Sequence, residues 1–347
     1  MVAVVKLPAV LRRAKREGWL DRIRNTADER AALRGCTWSR WHAERVEQFC
    51  RTFCCHSKGQ WAGQPFELLP WQRDDLVYPL FGWRRPDGTR RFRRAYIEVA
   101  KKNGKSALVS ALGLYLLIGD QEPGAEVYSC AADRPQATIV HTEAVNMVDA
   151  SPSLQNLLTV NRSTFGITYP DTKSVYKAWS GKAKGKSGFN AHGLLCDELQ
   201  EWQGREMWEN LIHAGRARRQ PLLIVITNAG DDMLSVCREQ HDYAERVLDG
   251  SFDDERFFAL IYSVTAEELA ERGPMDRDLW RKANPSLGHT INEDDFARDV
   301  QEAMRVPTAW AEFCRKSFSI WNTGTKRWLN IHQWRSCDVR TVSSLSC

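Results

Sequence analysis

The stretch VAKKNGKSAL, Val99 to Leu108, ends in the Gly-Lys-Ser of a phosphate-binding loop, yet Val99 stands where such loops usually carry their first glycine. Its neighbours decide how it reads. AYIEVA (residues 95–100) is an apolar run of strand length, and SALVSALGLYLLIGD (106–120) is an apolar helix stopped near Gly119. A buried strand that turns through a glycine into a helix is the setting in which backbone N–H groups and the positive helix end cradle phosphate. In that setting Asn103 and Gly104 belong to the cradle, Lys105 reaches the β- and γ-phosphates of ATP, and the Ser106 hydroxyl holds Mg²⁺. Lys101, with Lys102, adds positive charge beside the transferring phosphoryl group. Gly-Lys-Ser alone is equally a solvated lysine loop, so the rest of the chain has to supply the partners.

Four more apolar runs follow: AEVYSCAA (125–132), AHGLLCDE (191–198), QPLLIVITNAG (220–230) and RFFALIYSV (256–264), with a helix from about Pro135 to Val148 between the first two. Continuous apolar strands separated by helices predict an α/β fold whose mostly parallel sheet is covered by helices on both faces. Ligands of such sheets lie at the carboxyl ends of the strands. The chain divides into a charged helical appendage over 1–60, a core over 61–264, and a helical, aromatic stretch over 265–347.

Two strand ends carry chemistry. In GLLCDELQEW an apolar strand runs directly into Asp197 and Glu198; one carboxylate can hold the Mg²⁺ shell, and the next can polarise a water for attack on the γ-phosphate. Adjacent acids at a strand end are costly without a cation, although a surface acidic pair at a turn accounts for the same letters. In VITNAG, Thr227 and Asn228 can hydrogen-bond the γ-phosphate or its attacking water, or form a turn. Upstream, the Gln72 amide of LPWQRD can pair with an adenine edge, while a packed helix start at Trp71 is the plainer account. Taken together, the parts stand in the order of an additional-strand P-loop ATPase.

Composition agrees with this class. The 347 residues are 43% hydrophobic and 27% charged, as in a folded globular protein, and the net charge of +5 permits a polyanionic partner without demanding one. Ten cysteines without a CxxC pair suggest a reducing interior, and Cys50, Cys54, Cys55 and His56 read as buried thiols on a helix sooner than as a zinc site. The most apolar run, 107–118, is too short to span a bilayer, so no membrane role is expected.

These motifs resemble a known family, the large terminase subunit of tailed bacteriophages, an ATP-driven motor that packages DNA into proheads. The likeness runs through GQWAGQPFELLPWQRD, LFGW, VAKKNGKS, AADRPQA, LLCDELQEW and VITNAG to WRKANPSLG and FSIWNTGTKRWL, and the last two are not general ATPase motifs. The resemblance implies that Gln72 reads adenine and that Lys105 and Ser106 serve phosphate and Mg²⁺. It further implies that Asp197 holds the metal, Glu198 is the catalytic base, and Thr227 with Asn228 couples hydrolysis to motion. Lys101 falls where many members carry an arginine, and lysine lacks that bidentate fork. Double-stranded DNA, a portal-bearing prohead, a small terminase subunit and further copies in a ring are the implied partners, in the host cytoplasm. Arg162, Arg216, Arg218 and Arg219 are candidates for an arginine acting on a neighbouring subunit.

In this family an RNase H-like nuclease follows the motor. The chain runs out in HQWRSCDVRTVSSLSC, where that domain's first strand is expected, so residues 265–347 read as a lid leading to an absent nuclease, and no cleavage is expected. Two basic clusters are candidate DNA contacts: Arg84, Arg85, Arg90, Arg91, Arg93 and Arg94, and Lys182, Lys184 and Lys186. The rivals are another P-loop DNA translocase or helicase, or a non-catalytic remnant that binds DNA or co-assembles with longer subunits.

Overall fold

A computed structural model describes residues 9–180 and 190–322. Short elements come first: α1 (Ala9–Arg16), α2 (Thr26–Leu33), β1 (Thr37–Trp38), α3 (Arg40–Phe53), then a π-helical turn over Gln72–Val77, α4 (Tyr78–Gly82) and β2 (Trp83–Arg84), which pairs antiparallel with β1. Ala14, Trp19, Ala31, Ala43 and Val46 of this region share one apolar core with Val109 and Leu112 further on.

The sheet region follows: β3 (Arg94–Glu98), α5 (Lys105–Leu114), β4 (Glu126–Ala131), α6 (Arg134–Ala150), α7 (Pro152–Leu157), β5 (Thr159–Asn161), β6 (Gly166–Tyr169), β7 (Ser174–Ser180), β8 (Gly193–Asp197), α8 (Glu206–Leu211), β9 (Leu222–Thr227), α9 (Val236–Leu248) and β10 (Phe257–Ile261). These strands form one sheet in the order β10-β3-β9-β8-β4-β7-β6-β5. The six from β10 to β7 are parallel, and only β6 runs against its neighbours. Every residue of β8 and β9 is buried, which requires cover on both faces and explains their unbroken apolar sequence. One face packs against α5, with Val109 and Leu112 beside Leu195 and Ile224; the other packs Leu194, Cys196 and Val225 against Val236 and Cys237 of α9. At Gly113 a Cβ would lie 2.7 Å from Leu195 Cδ1, so only glycine lets α5 settle this close to the sheet.

Beyond β10, α10 (Ala266–Arg272), α11 (Arg277–Ala283), α12 (Glu293–Ala303) and α13 (Pro307–Ser317) gather around Trp280, Phe296 and Phe318 as a separate apolar cluster.

The first basic cluster is largely structural. The side chains of Arg90 and Arg91 are 0% and 1% exposed and are paired with Asp120 at 3.0 Å and Asp28 at 2.6 Å. Arg84 is buried, Arg85 faces Glu255 and Arg94 faces Asp254. A guanidinium locked to a buried carboxylate is not available to a DNA phosphate, which corrects the expectation for Arg90 and Arg91. Lys182, Lys184 and Lys186 lie outside the described residues. Cys50 and Cys54 are fully buried in the core, and burial pushes the Cys50 thiol up to about 12. No helix among the described residues is long and apolar enough to cross a membrane.

Candidate functional site

Parallel pairing brings three strand ends level. Glu98 of β3 is opposite Thr227 of β9, and Asp197 of β8 is opposite Ile226. The ladder continues one step past each strand: Val99 N–H donates to Thr227 O at 3.0 Å, and Glu198 N–H donates to Ile226 O at 3.0 Å. The loop after β3, the acidic pair after β8 and the polar tip of β9 are therefore neighbours at one edge, as expected for ligands of parallel sheets.

The loop turns through two left-handed residues, Lys102 (φ 71°) and Gly104 (φ 79°), the latter serving as N-cap of α5. Lys105 opens the helix with its side chain only 6% exposed; Nζ donates to Val99 O at 3.1 Å and stands 3.7 Å from Glu198 Oε1. Burial lowers the proton affinity of this ammonium, against the pull of Glu198 and Asp197. Asp197 is displaced in the opposite sense: burial, reinforced by Glu198, pushes its carboxyl up to about 7 although Lys105 opposes the shift. Its Oδ1 is buried without a hydrogen-bond partner among the described residues. A hard oxygen donor left unpaired beside a second carboxylate fits a divalent cation, and an ammonium turned toward the same spot fits a phosphate.

Glu198 is held at φ 49° and ψ 52°, a backbone region that non-glycine residues rarely occupy and one that recurs at functional sites. Thr227 and Asn228 are fully buried beside it. Ser106, half-buried, follows Lys105 in the first turn of α5. Lys101 sits at the rim, where its charge acts on both Lys105 and Asp197. Gln72 is buried with Oε1 accepting from Leu69 N–H at 3.0 Å; its Nε2 faces Gly104, 3.4 Å from where a Cβ would stand.

Asn103 departs from its expected place. The loop carries it, but its side chain points away from the cradle: Nδ2 donates to Ala100 O at 3.1 Å and to Asn284 Oδ1 at 3.1 Å, and Oδ1 accepts from Ser286 N–H at 3.0 Å. With its amide committed to these partners, only its backbone remains for an anion. The candidate arginines separate as well. Arg218 is fixed by Glu122 and the carbonyls of Asn190 and Gly124; Arg162 is exposed and paired with Asp149; Arg216 and Arg219 are exposed in the turn before β9, at the end of that strand remote from Thr227, with Arg219 donating to Asp87 O at 3.2 Å.

Two residues beyond the motifs complete the arrangement. Gln200 contacts Glu198, Thr227 and Asn228 at once. Glu98, fully buried, accepts from Tyr96 Oη (2.7 Å), Ser319 Oγ (3.2 Å) and Trp321 Nε1 (3.3 Å), and it pairs with His241 Nδ1 (2.8 Å). Burial alone would lower His241, but the bond to Glu98 raises it overall. A strand residue expected to be apolar carries this carboxylate, and only the AYIEVA pattern, with an acid inside a buried run, could have flagged it.

Comparisons with known proteins bear on the same residues. The family model for the terminase large subunit, ATPase domain, matches residues 70–246, just over half the chain. The model for the terminase large subunit, endonuclease domain, matches residues 251–343. The second match corrects the expectation that the nuclease is missing. The match begins before β10, itself a strand of the main sheet, and takes in α10 to α13, the stretch that reads from sequence as a helical lid. Among curated proteins, the chain is 30% identical over 271 residues to the terminase large subunit of Enterobacteria phage HK97, covering 76% of this chain and 50% of that protein. It is 25% identical over 156 residues to Protein YmfN of Escherichia coli K12, covering 45% of this chain and 33% of that protein. The crystal structure of the HK97 bacteriophage large terminase superposes with a TM-score of 0.69 at 27% identity, over 85% of this chain and 58% of that one. The chain thus spans from a third to about half of the length of the curated relatives it matches.

Proposed function

This chain belongs to the terminase large-subunit family, and we propose that it binds ATP with Mg²⁺ and hydrolyses it to drive double-stranded DNA into a prohead. The observation that carries the reading is the convergence at one sheet edge of the Lys105 ammonium, 3.7 Å from Glu198, and the unpartnered Asp197 Oδ1. In this proposal Gly104 and the first turn of α5 receive the phosphates, Lys105 leaves Val99 O for them, and Gln72 sits behind the loop toward the base. Asp197 and Ser106 would hold Mg²⁺, which when bound neutralises phosphate charge. Glu198 accepts a proton from the attacking water, and Lys101 adds charge at the rim. Thr227 and Asn228 register whether the terminal phosphate is present.

Assembly into a ring with portal, prohead and small terminase subunit in the host cytoplasm belongs to the same proposal. Arg216 is the most available candidate for action on a neighbour, because Arg218 is tied by Glu122 and two carbonyls, Arg219 donates to Asp87 O at 3.2 Å, and Arg162 pairs with Asp149 at the surface.

The test is ATP turnover titrated with double-stranded DNA at several salt concentrations, where stimulation should fall as salt rises. Lys105→Ala should abolish nucleotide binding. Glu198→Gln should bind nucleotide and lose turnover by about a hundredfold or more. Turnover by Glu198→Gln at the parent rate would remove Glu198 from the role of base.

A further inference from the structure

Resting on that reading, we propose that Gln200 is the residue that positions Glu198 and ties its orientation to the Thr227–Asn228 tip of β9. The geometry is specific. Gln200 Nε2 donates to Glu198 Oε2 and lies 3.3 Å from Asn228 Oδ1, while Gln200 Oε1 accepts from the Thr227 hydroxyl. The backbone N–H of Gln200 adds a fourth link, reaching Thr227 Oγ1 at 3.3 Å. Both amide hydrogens and the amide oxygen are thus engaged across two strand ends. The amide orientation is set by the acceptors at its nitrogen, since a flip would place its oxygen against the Glu198 carboxylate and Asn228 Oδ1, whereas the Thr227 hydroxyl can donate or accept.

The consequence lies in how the two oxygens of Glu198 are partnered. Oε1 faces Lys105 and Oε2 faces Gln200. Once Lys105 turns to a phosphate, Gln200 remains the donor that fixes the carboxylate plane and leaves Oε1 directed into the site. Because the other end of the same amide bonds Thr227, a shift at the tip of β9 turns the amide and re-aims the base. The charged and titratable groups beside Glu198 are Asp197 on its own strand end, Lys105 from α5 and Cys237 from α9, with Lys101 acting on Lys105 and Asp197 and Glu201 Oε1 3.4 Å from Gln200 Nε2. None of these supplies a second neutral donor to Oε2. The stem of Gln200 rests against Gly230, where an added Cβ would stand 3.2 Å from Gln200 Cβ, so the side chain is also sterically guided.

The test uses Gln200→Met, which keeps volume and removes both ends of the amide, with Gln200→Ala beside it. Steady-state turnover gives kcat and KM, a fluorescent ATP analogue gives affinity, and thermal unfolding reports the fold. We expect both variants to lose kcat by roughly tenfold to a hundredfold, with affinity within about twofold of the parent. Adding Thr227→Val to Gln200→Met should cost less than the sum of the separate losses, because the two groups share one hydrogen bond. A Gln200→Met protein with parent kcat overturns the inference, as does a loss of kcat and affinity together. If Glu198→Gln is inactive in the same series, the ATPase reading survives that outcome; if the parent shows no Glu198-dependent turnover, both fall.

Discussion

Asn103 Nδ2 lies 3.1 Å from Asn284 Oδ1, so the loop that carries Lys105 is hydrogen-bonded to the end of a helix 181 residues further along. The link is one of several: Ser286 N–H donates to Asn103 Oδ1, Trp71 Nε1 to Ser286 Oγ at 2.8 Å, Thr290 Oγ1 to Lys102 O at 2.9 Å, and Lys101 N–H to Lys316 O at 2.9 Å. Asn284→Ala should destabilise the protein by about 1–3 kcal/mol, the cost of buried polar groups left unpaired. If the seam also shapes the loop, nucleotide affinity falls with it. Denaturant unfolding and nucleotide titration measure the two, and unchanged affinity would reduce the seam to a structural role.

Asp197 gives a pH signature in the absence of divalent cation. Its folded carboxyl, raised to about 7 by burial and by Glu198, stays protonated where the unfolded one has already ionised. Its favourable share of stability is therefore complete below the unfolded value near 4 and is lost as pH rises to 7, amounting to a few kcal/mol at about 1.4 kcal/mol per unit. Asp197→Asn lacks that loss, so it should gain on the parent from pH 4 to 7 and hold a constant lead above. Denaturant unfolding across this range checks it, and Mg²⁺ at pH 8 should narrow the lead by stabilising only the parent.

Asp120 behaves in the opposite way. Burial would raise its carboxyl, but Arg90 at 3.0 Å and His192 at 2.8 Å overcome this and hold it at about 2. The stabilisation is present above the unfolded value near 4 and fades as pH falls through 2. Asp120→Ala leaves the Arg90 guanidinium buried without its counter-charge and should cost about 3–5 kcal/mol at neutral pH. A loss below about 1 kcal/mol would mean that water reaches Arg90.

Gly230 borders both Gln200 and the ring of Trp321. A Cβ there would meet Trp321 Cζ3 at 3.0 Å and Gln200 Cβ at 3.2 Å. Gly230→Ala should cost about 1–3 kcal/mol through overpacking. It should also lower kcat more than nucleotide affinity, because the displaced stem carries the amide that contacts Glu198. Equal effects on both would place the damage in the loop instead.

The parts legible in the sequence are those whose burial is uniform. β8 and β9 are covered on both faces, so their apolar runs announce parallel strands and the polar letters after them mark the strand ends. β5 and β6 are too short to announce themselves, and β7 alternates half-buried positions with Lys177, so all three escaped a search for continuous apolar runs. Arg90 and Arg91 looked like a solvated cluster because their counter-charges are 30 and 63 residues away, a separation invisible to local pattern. Asn103 and Gln200 were misjudged or missed for a related reason. Backbone position follows from local sequence, but the aim of an amide depends on partners brought in by the fold, here Asn284 and Thr227.

Lys105 rests on a neutral carbonyl, that of Val99, and near one carboxylate oxygen of Glu198. On the proposed reading, these oxygens stand in for those of a phosphate. A lone inorganic anion offers the ammonium little that it does not already have, and it meets the repulsion of two acids as well. In that reading, a magnesium-bound nucleotide would bring the cation for Asp197 together with the phosphate that draws Lys105 away, whereas a simple anion would bring only the second.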